Sequence, residues 1–223
     1  MSEVPGLLAQ VASAILCFIL VRYMIKPFGL TREARYLGLP LGFAFLGISE
    51  IVLGIGIISP PLSALLNISL GIRTFAFVFM AFTYYFSKQP SKNSKFAWII
   101  AFSLLVVGLT SVSLVLATDL LNSLGVSAVF GIFLRTLELI FLSYISIHTL
   151  RSHIRNPDPT TIWVPLGYIL LAVSQYSMLI RAAEENYLNG VAYAGGLAAR
   201  TAGLVIFLFV AYQTFSKSGK MGA

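Results

Sequence analysis

Apolar residues run along this chain in stretches long enough to cross a bilayer, broken by short polar joins. Crossing the hydrocarbon takes roughly 20 apolar residues at 1.5 Å each. Seven segments qualify, at about residues 5 to 25, 37 to 58, 62 to 86, 96 to 117, 124 to 148, 162 to 181 and 190 to 214. The joins are turn material: Pro27 and Gly29, Ser59-Pro60-Pro61, Ser87 to Asn93, Asp119 to Ser123, Asn156-Pro157-Asp158-Pro159, and Glu184 to Gly190. Joins this short predict that successive helices are antiparallel neighbours. The expected fold is an all-α integral membrane protein: a single seven-helix transmembrane domain over residues 1–223, ending in a short cytoplasmic tail at residues 216–223.

Composition supports the membrane assignment. Hydrophobic side chains make up 58% of the chain and charged ones 10%, with a mean hydropathy of +0.90, against about 25% charged in soluble domains. The lone cysteine, Cys17, lies in an apolar run, so no intrachain disulfide forms and packing in the core or against lipid is expected. The start, Met1 to Pro5, has no basic region and no small-residue cleavage pattern follows, so the first apolar run is expected to stay as a helix.

Charge sets the expected orientation. Arg22, Lys26, Arg32, Arg35, Lys88, Lys92, Lys95, Arg151, Arg155, Lys217 and Lys220 fall on one side, and only Arg181, beside Glu184 and Glu185, on the other. Basic loops stay inside, which predicts a plasma-membrane protein with its N-terminus outside and its C-terminus in the cytoplasm. The net charge of +7 follows from this asymmetry and calls for no nucleic acid. Tyr84, Tyr85, Trp98, Trp163 and Tyr212 suit the membrane interfaces.

The chain also repeats itself. Pro40 to Glu50 matches Pro165 to Gln175 without a gap, and a shift of about 65 residues lays Trp98 on Trp163 and Arg135-Thr136 on Arg200-Thr201. Arg73-Thr74 joins the set, giving one helix followed by three related two-helix hairpins. The scheme puts Arg73, Arg135 and Arg200 about 17 Å below the outer edge on helices that run the same way. Glu50, Thr110 and Gln175 fall at the same level on the antiparallel helices, and Glu138 lies one helical turn from Arg135.

A charged side chain at mid-membrane costs about 2.5 to 3.5 kcal/mol on insertion scales, so three arginines together demand compensation from the bundle interior. The spacing of Arg135 and Glu138 allows a local ion pair, and Glu50 can reach a second arginine. Three cations against two anions leave one arginine over. These groups, with Gln175 and Thr110, are the expected ligand-binding residues, because a planar guanidinium bonds carboxylate or phosphate with two parallel hydrogen bonds and stays charged when buried. The plainer alternative is that the pairs only fix helix register. Pro40 and Pro165 are hinge candidates or ordinary helix starts. The small-residue spacings at Gly38-Leu39-Pro40-Leu41-Gly42 and Ala194-Gly195-Gly196 read as close packing within the bundle. His148 and His153, with Arg151 and Arg155, are expected at the cytoplasmic surface, facing headgroups or solvent. Neither histidine has a partner for haem, and no metal set is apparent.

In outline the chain is similar to microbial rhodopsins and to the seven-helix input modules of some prokaryotic histidine kinases. Retinal is not expected, since no lysine lies within the last helix for a Schiff base, Lys217 and Lys220 falling beyond its inner end. No cofactor is expected. The leading functional reading is a sensor or receptor-like module with a mid-membrane polar site for an anionic or polar small molecule, signalling to a partner or a second copy from within the lipid bilayer. A transporter or channel for such a solute is the alternative, and a structural or accessory subunit the third. No nucleophile with a neighbouring base marks an enzyme.

Overall fold

The structure, a computed structural model, describes residues 3–31, 37–58, 64–86, 99, 103, 126–157, 162–183 and 188–217. Among the described residues there is no strand, and the helices in chain order are α1 (Glu3–Met24), α2 (Lys26–Thr31), α3 (Gly38–Ile58), α4 (Ala64–Phe86), α5 (Val126–Arg155), α6 (Trp163–Ala183) and α7 (Leu188–Lys217). Among the described residues six spans are long and apolar enough to cross a membrane. The short α2 is not a separate span: Ile25 N–H donates to Val21 O and Gly29 N–H to Ile25 O, so backbone bonding carries the first span on to Gly29. The segment expected at 96 to 117 lies, apart from residues 99 and 103, outside the described residues.

Local sequence explains the helix ends. Pro40 and Pro165 both occupy the first turn of their helices, where a missing N–H leaves no bond unmade. Asn156 N–H donates to Ser152 O at the end of α5, and Pro157 follows.

Each long helix packs on the next, and α7 returns to α1, so the spans close into a ring. Points of contact give the directions. Gly47 of α3 lies against Cys17 and Phe18 of α1, whereas Gly54 lies against Leu7, so these two run antiparallel. The α3/α4 and α6/α7 pairs are antiparallel too, with Gly42 on Met80 and Gly56 on Leu66 in the first, and Gly167 on Phe207 and Gly196 on Ser177 in the second. By contrast α4 and α5 run parallel: Leu70 neighbours Gly131, Arg73 bonds Glu138, and the Tyr84 ring lies 5.8 Å from that of His148. Gly6 faces Tyr193, placing the starts of α1 and α7 side by side. The upper end below is the one where α1, α4, α5 and α7 begin.

Burial is inverted relative to a soluble protein. Glu138 is 0% exposed while Val191 is 72% exposed, and Val129 and Ile154 likewise present apolar surface outward. Water would penalise that surface; lipid does not. The interior is apolar mainly toward the lower end, where Leu20, Phe43, Phe77, Leu142, Tyr168 and Leu204 draw all six spans into one cluster, and Cys17 lies within it. Aromatic rings close this half. Phe207 packs against Tyr168 at 4.6 Å and Phe43 at 5.5 Å, and the Tyr84 and Tyr168 hydroxyls are 3.2 Å apart. His148 belongs to this layer, near the Tyr84 and Tyr144 rings, and is thus partly enclosed by aromatics where a headgroup or solvent contact was expected.

The contact between α6 and α7 rests on glycine. A Cβ on Gly167 would lie 2.8 Å from the Phe207 ring, and one on Gly203 would lie 3.0 Å from Gly167 O. Gly167→Leu should therefore destabilise the bundle by about 1 to 3 kcal/mol through overpacking, lowering the thermal midpoint of the purified protein. Gly195 has open space around it, and Gly195→Ala should leave the midpoint unchanged or raise it, by up to about 1 kcal/mol of helix propensity.

Candidate functional site

The helices that carry Arg73, Arg135 and Arg200 begin at Ala64, Val126 and Leu188, which at 1.5 Å per residue puts the three arginines about 14 to 18 Å below the starts of their helices. Each is followed by a threonine whose hydroxyl donates back to the carbonyl four residues earlier: Thr74 to Leu70, Thr136 to Ile132 and Thr201 to Leu197. This back-bonding satisfies a hydroxyl in hydrocarbon without a partner from another helix.

Two of the arginines are neutralised across helix boundaries. Arg73 Nε donates to Glu138 Oε1 at 3.1 Å and to Oε2 at 3.3 Å, joining α4 to α5. Thr74 Oγ1 lies 3.0 Å from Glu138 Oε1 as well as 3.0 Å from Leu70 O, so its single proton serves one or the other. Arg200 Nη1 donates to Glu50 Oε1, joining α7 to α3. All four charged side chains are buried. Burial of such a pair is tolerated only when both ends are matched, since either charge alone faces a desolvation penalty of several kcal/mol.

The local pair between Arg135 and Glu138 does not form. Leu134, Glu138, Leu142, Ile145 and Thr149 make one buried stripe along α5, and Arg135 lies at its edge, about 60° of helical rotation from Glu138. Glu138 is thereby aimed at α4, while Arg135 is only partly buried. The guanidinium Nη1 of Arg135 is nonetheless enclosed and has no hydrogen-bond partner among the described residues. Arg135 is within electrostatic reach of Arg73, Glu138 and Arg181.

The Arg200–Glu50 pair is also incompletely bonded. Arg200 Nε and Nη2, Glu50 Oε2 and the Oε1 of Gln175, itself buried on α6, have no partner among the described residues. Arg73 lies within electrostatic reach of Glu50 as well as Glu138, so the two pairs form one charged group. Thr110, expected at this level, lies outside the described residues. One contributor escaped the sequence reading: Gln10 of α1 is 2% exposed and its Oε1 lacks a partner among the described residues. The signal was present, a lone amide in the run Leu7-Leu8-Ala9-Gln10-Val11. Each unmet buried polar atom costs about 1 to 3 kcal/mol, and their concentration at one level gives the site strong capacity to bond a polar guest. Among the described residues no cluster of metal-ligating side chains occurs.

Arg73→Gln should destabilise the protein by about 3 to 5 kcal/mol, because it strands Glu138. Replacing both partners, as Arg73→Leu with Glu138→Leu, should recover most of that loss, and denaturation of the single and double variants in one detergent measures both. Arg135→Gln should shift stability by less than about 1 kcal/mol, having no ion pair to break. No family model, curated protein or solved structure matches this chain.

Proposed function

We propose that the chain is a seven-helix membrane module whose arginine level binds an anionic or polar small molecule, and that binding is signalled to a partner on the cytoplasmic side. The observation that carries this reading is Arg135. With Arg73 matched by Glu138 and Arg200 by Glu50, Arg135 is the arginine of the three with no salt bridge among the described residues, and its enclosed Nη1 retains a hydrogen bond to give. An anion there would balance the level and meet a planar donor pair.

The seventh crossing is inferred from direction. Helices α4 and α5 run parallel, so a chain leaving the lower end of α4 must return to the upper end before α5 begins. The apolar run at 96 to 117 has the length to make that return. Orientation follows from charge: Arg22 and Lys26 close the first span, Arg151 and Arg155 end α5 and Lys217 ends α7, all at the lower end, against Arg181 at the upper end. The lower end is the cytoplasmic one, in a plasma membrane with the N-terminus outside.

A transporter or channel for a small anionic or polar solute is the second reading, and an internal repeat favours it. Gly42 seats Met80 seven residues beyond Arg73, and Gly167 seats Phe207 seven residues beyond Arg200. Pro40, Gly42, Phe43, Leu46, Ser49 and Glu50 are buried, as are Pro165, Gly167, Tyr168, Leu171, Ser174 and Gln175 at the matching positions. Binding at a repeat interface is common in transporters. The sensor reading is preferred because the Phe43, Tyr84, Tyr168 and Phe207 layer fills the lower half and obstructs a path through it.

Thermal unfolding of protein in lipid nanodiscs, titrated with phosphate, sulfate and short carboxylates, tests the proposal. A bound anion at a hundredfold excess over its dissociation constant should raise the midpoint by about 5 to 10 °C. Arg135→Gln should abolish the rise. An equal rise in the variant, or none with any of these anions in the parent, overturns the reading; anion flux into vesicles would move the assignment to transport.

A further inference from the structure

A groove of about 290 Å³ lies between the upper part of α1 and the end of α3. Its walls include Val11 and Ile15 of α1 and Ile51 and Ile55 of α3, each about half exposed on the outward face of the bundle. In a bilayer that face meets acyl chains rather than water. Two of its lining residues are polar. Glu50 and Gln10 both belong to it, 1% and 2% exposed, and Glu50 Oε2 and Gln10 Oε1 have no hydrogen-bond partner among the described residues. The volume is at the small end of ligand pockets, about 300 to 1,000 Å³.

The chemistry of these two groups selects the guest. A carboxylate oxygen can only accept, and the Gln10 amide can turn to give or take a bond. A carboxylate or phosphate head would confront the Glu50 acceptor. A cationic head would add a charge to a Glu50 already neutralised by Arg200, with nothing to balance it in hydrocarbon. A neutral donor meets neither objection. Apolar walls open to lipid require that the remainder of the molecule be a hydrocarbon chain.

We propose that this groove binds a membrane-dissolved long-chain alcohol, taken in sideways from the bilayer, with its hydroxyl donating to Glu50 Oε2 and its chain lying between α1 and α3. Gln10 flanks the hydroxyl. Through Glu50 the alcohol touches the same ion pair that ties α3 to α7. The hydroxyl partners are Glu50 and Gln10, not Arg135, so a failure of anion binding at Arg135 leaves this proposal untouched.

The test uses the full chain in phosphatidylcholine nanodiscs with two photoactivatable probes, a diazirine-bearing long-chain alcohol and its methyl ether, and maps the labelled peptides by mass spectrometry. The alcohol should label α1 and α3 around the groove, and the ether, which cannot donate, about fivefold less. Val11→Trp, which fills the groove from an exposed position, and Gln10→Leu should each lower alcohol labelling by about the same factor. Val11→Trp decides the matter if Gln10→Leu does not fold. Equal labelling by alcohol and ether, labels spread over the outward faces, or labelling indifferent to Val11→Trp overturns the proposal.

Discussion

An ionised side chain in hydrocarbon must find its opposite, and that requirement organises this bundle. Helix packing in a bilayer receives no hydrophobic drive, because lipid tails are as apolar as leucine. Contacts that distinguish one arrangement from another must come from close fit or from polar bonds. Here the two act at different depths. The Arg73–Glu138 and Arg200–Glu50 bridges fix which helices meet at the polar level, and glycine seats for Met80 and Phe207 set how closely hairpins pack below it. A sliding error of one turn in any helix would carry a charge about 5 Å out of reach of its partner.

The two bridges also divide the labour of closing the ring. The first holds the parallel neighbours α4 and α5, which no short connection brings together. The second reaches from α3 to α7, helices that are not neighbours in the ring, and so braces its interior. Charge left over after both are made, at Arg135, has no salt bridge among the described residues. Polar residues retained beyond structural need are the ones a membrane protein uses.

Much of this was legible in the chain. Arg73, Arg200, Glu50, Glu138 and Gln175 stood out because an ionisable or amide group inside an apolar run has only the bundle interior to face, and all five are buried. Six helices among the described residues are long and apolar enough to cross a membrane, length and hydropathy being enough to mark them in the sequence. Pairing was less legible. Sequence neighbours favoured Arg135 with Glu138, but the Glu138 carboxylate is taken by Arg73 of α4, while Arg135 sits at the edge of the buried stripe, a pairing between helices that spacing along one helix does not reveal. Gln10 was overlooked because a single amide among aliphatics signals little until its neighbours across the groove are known. The aromatic layer was anticipated only at the membrane surface; Tyr84 instead reaches inward to Tyr168 across the bundle.

The bridge between α3 and α7 has a consequence in time. Its partners are 150 residues apart in sequence, so at ribosomal rates of about 5 to 20 residues per second Glu50 is made roughly 8 to 30 s before Arg200. For that interval Glu50 has no Arg200 to pair with. Arrival of the last helix then supplies the cation, and with it the latch that converts a set of inserted hairpins into a closed bundle.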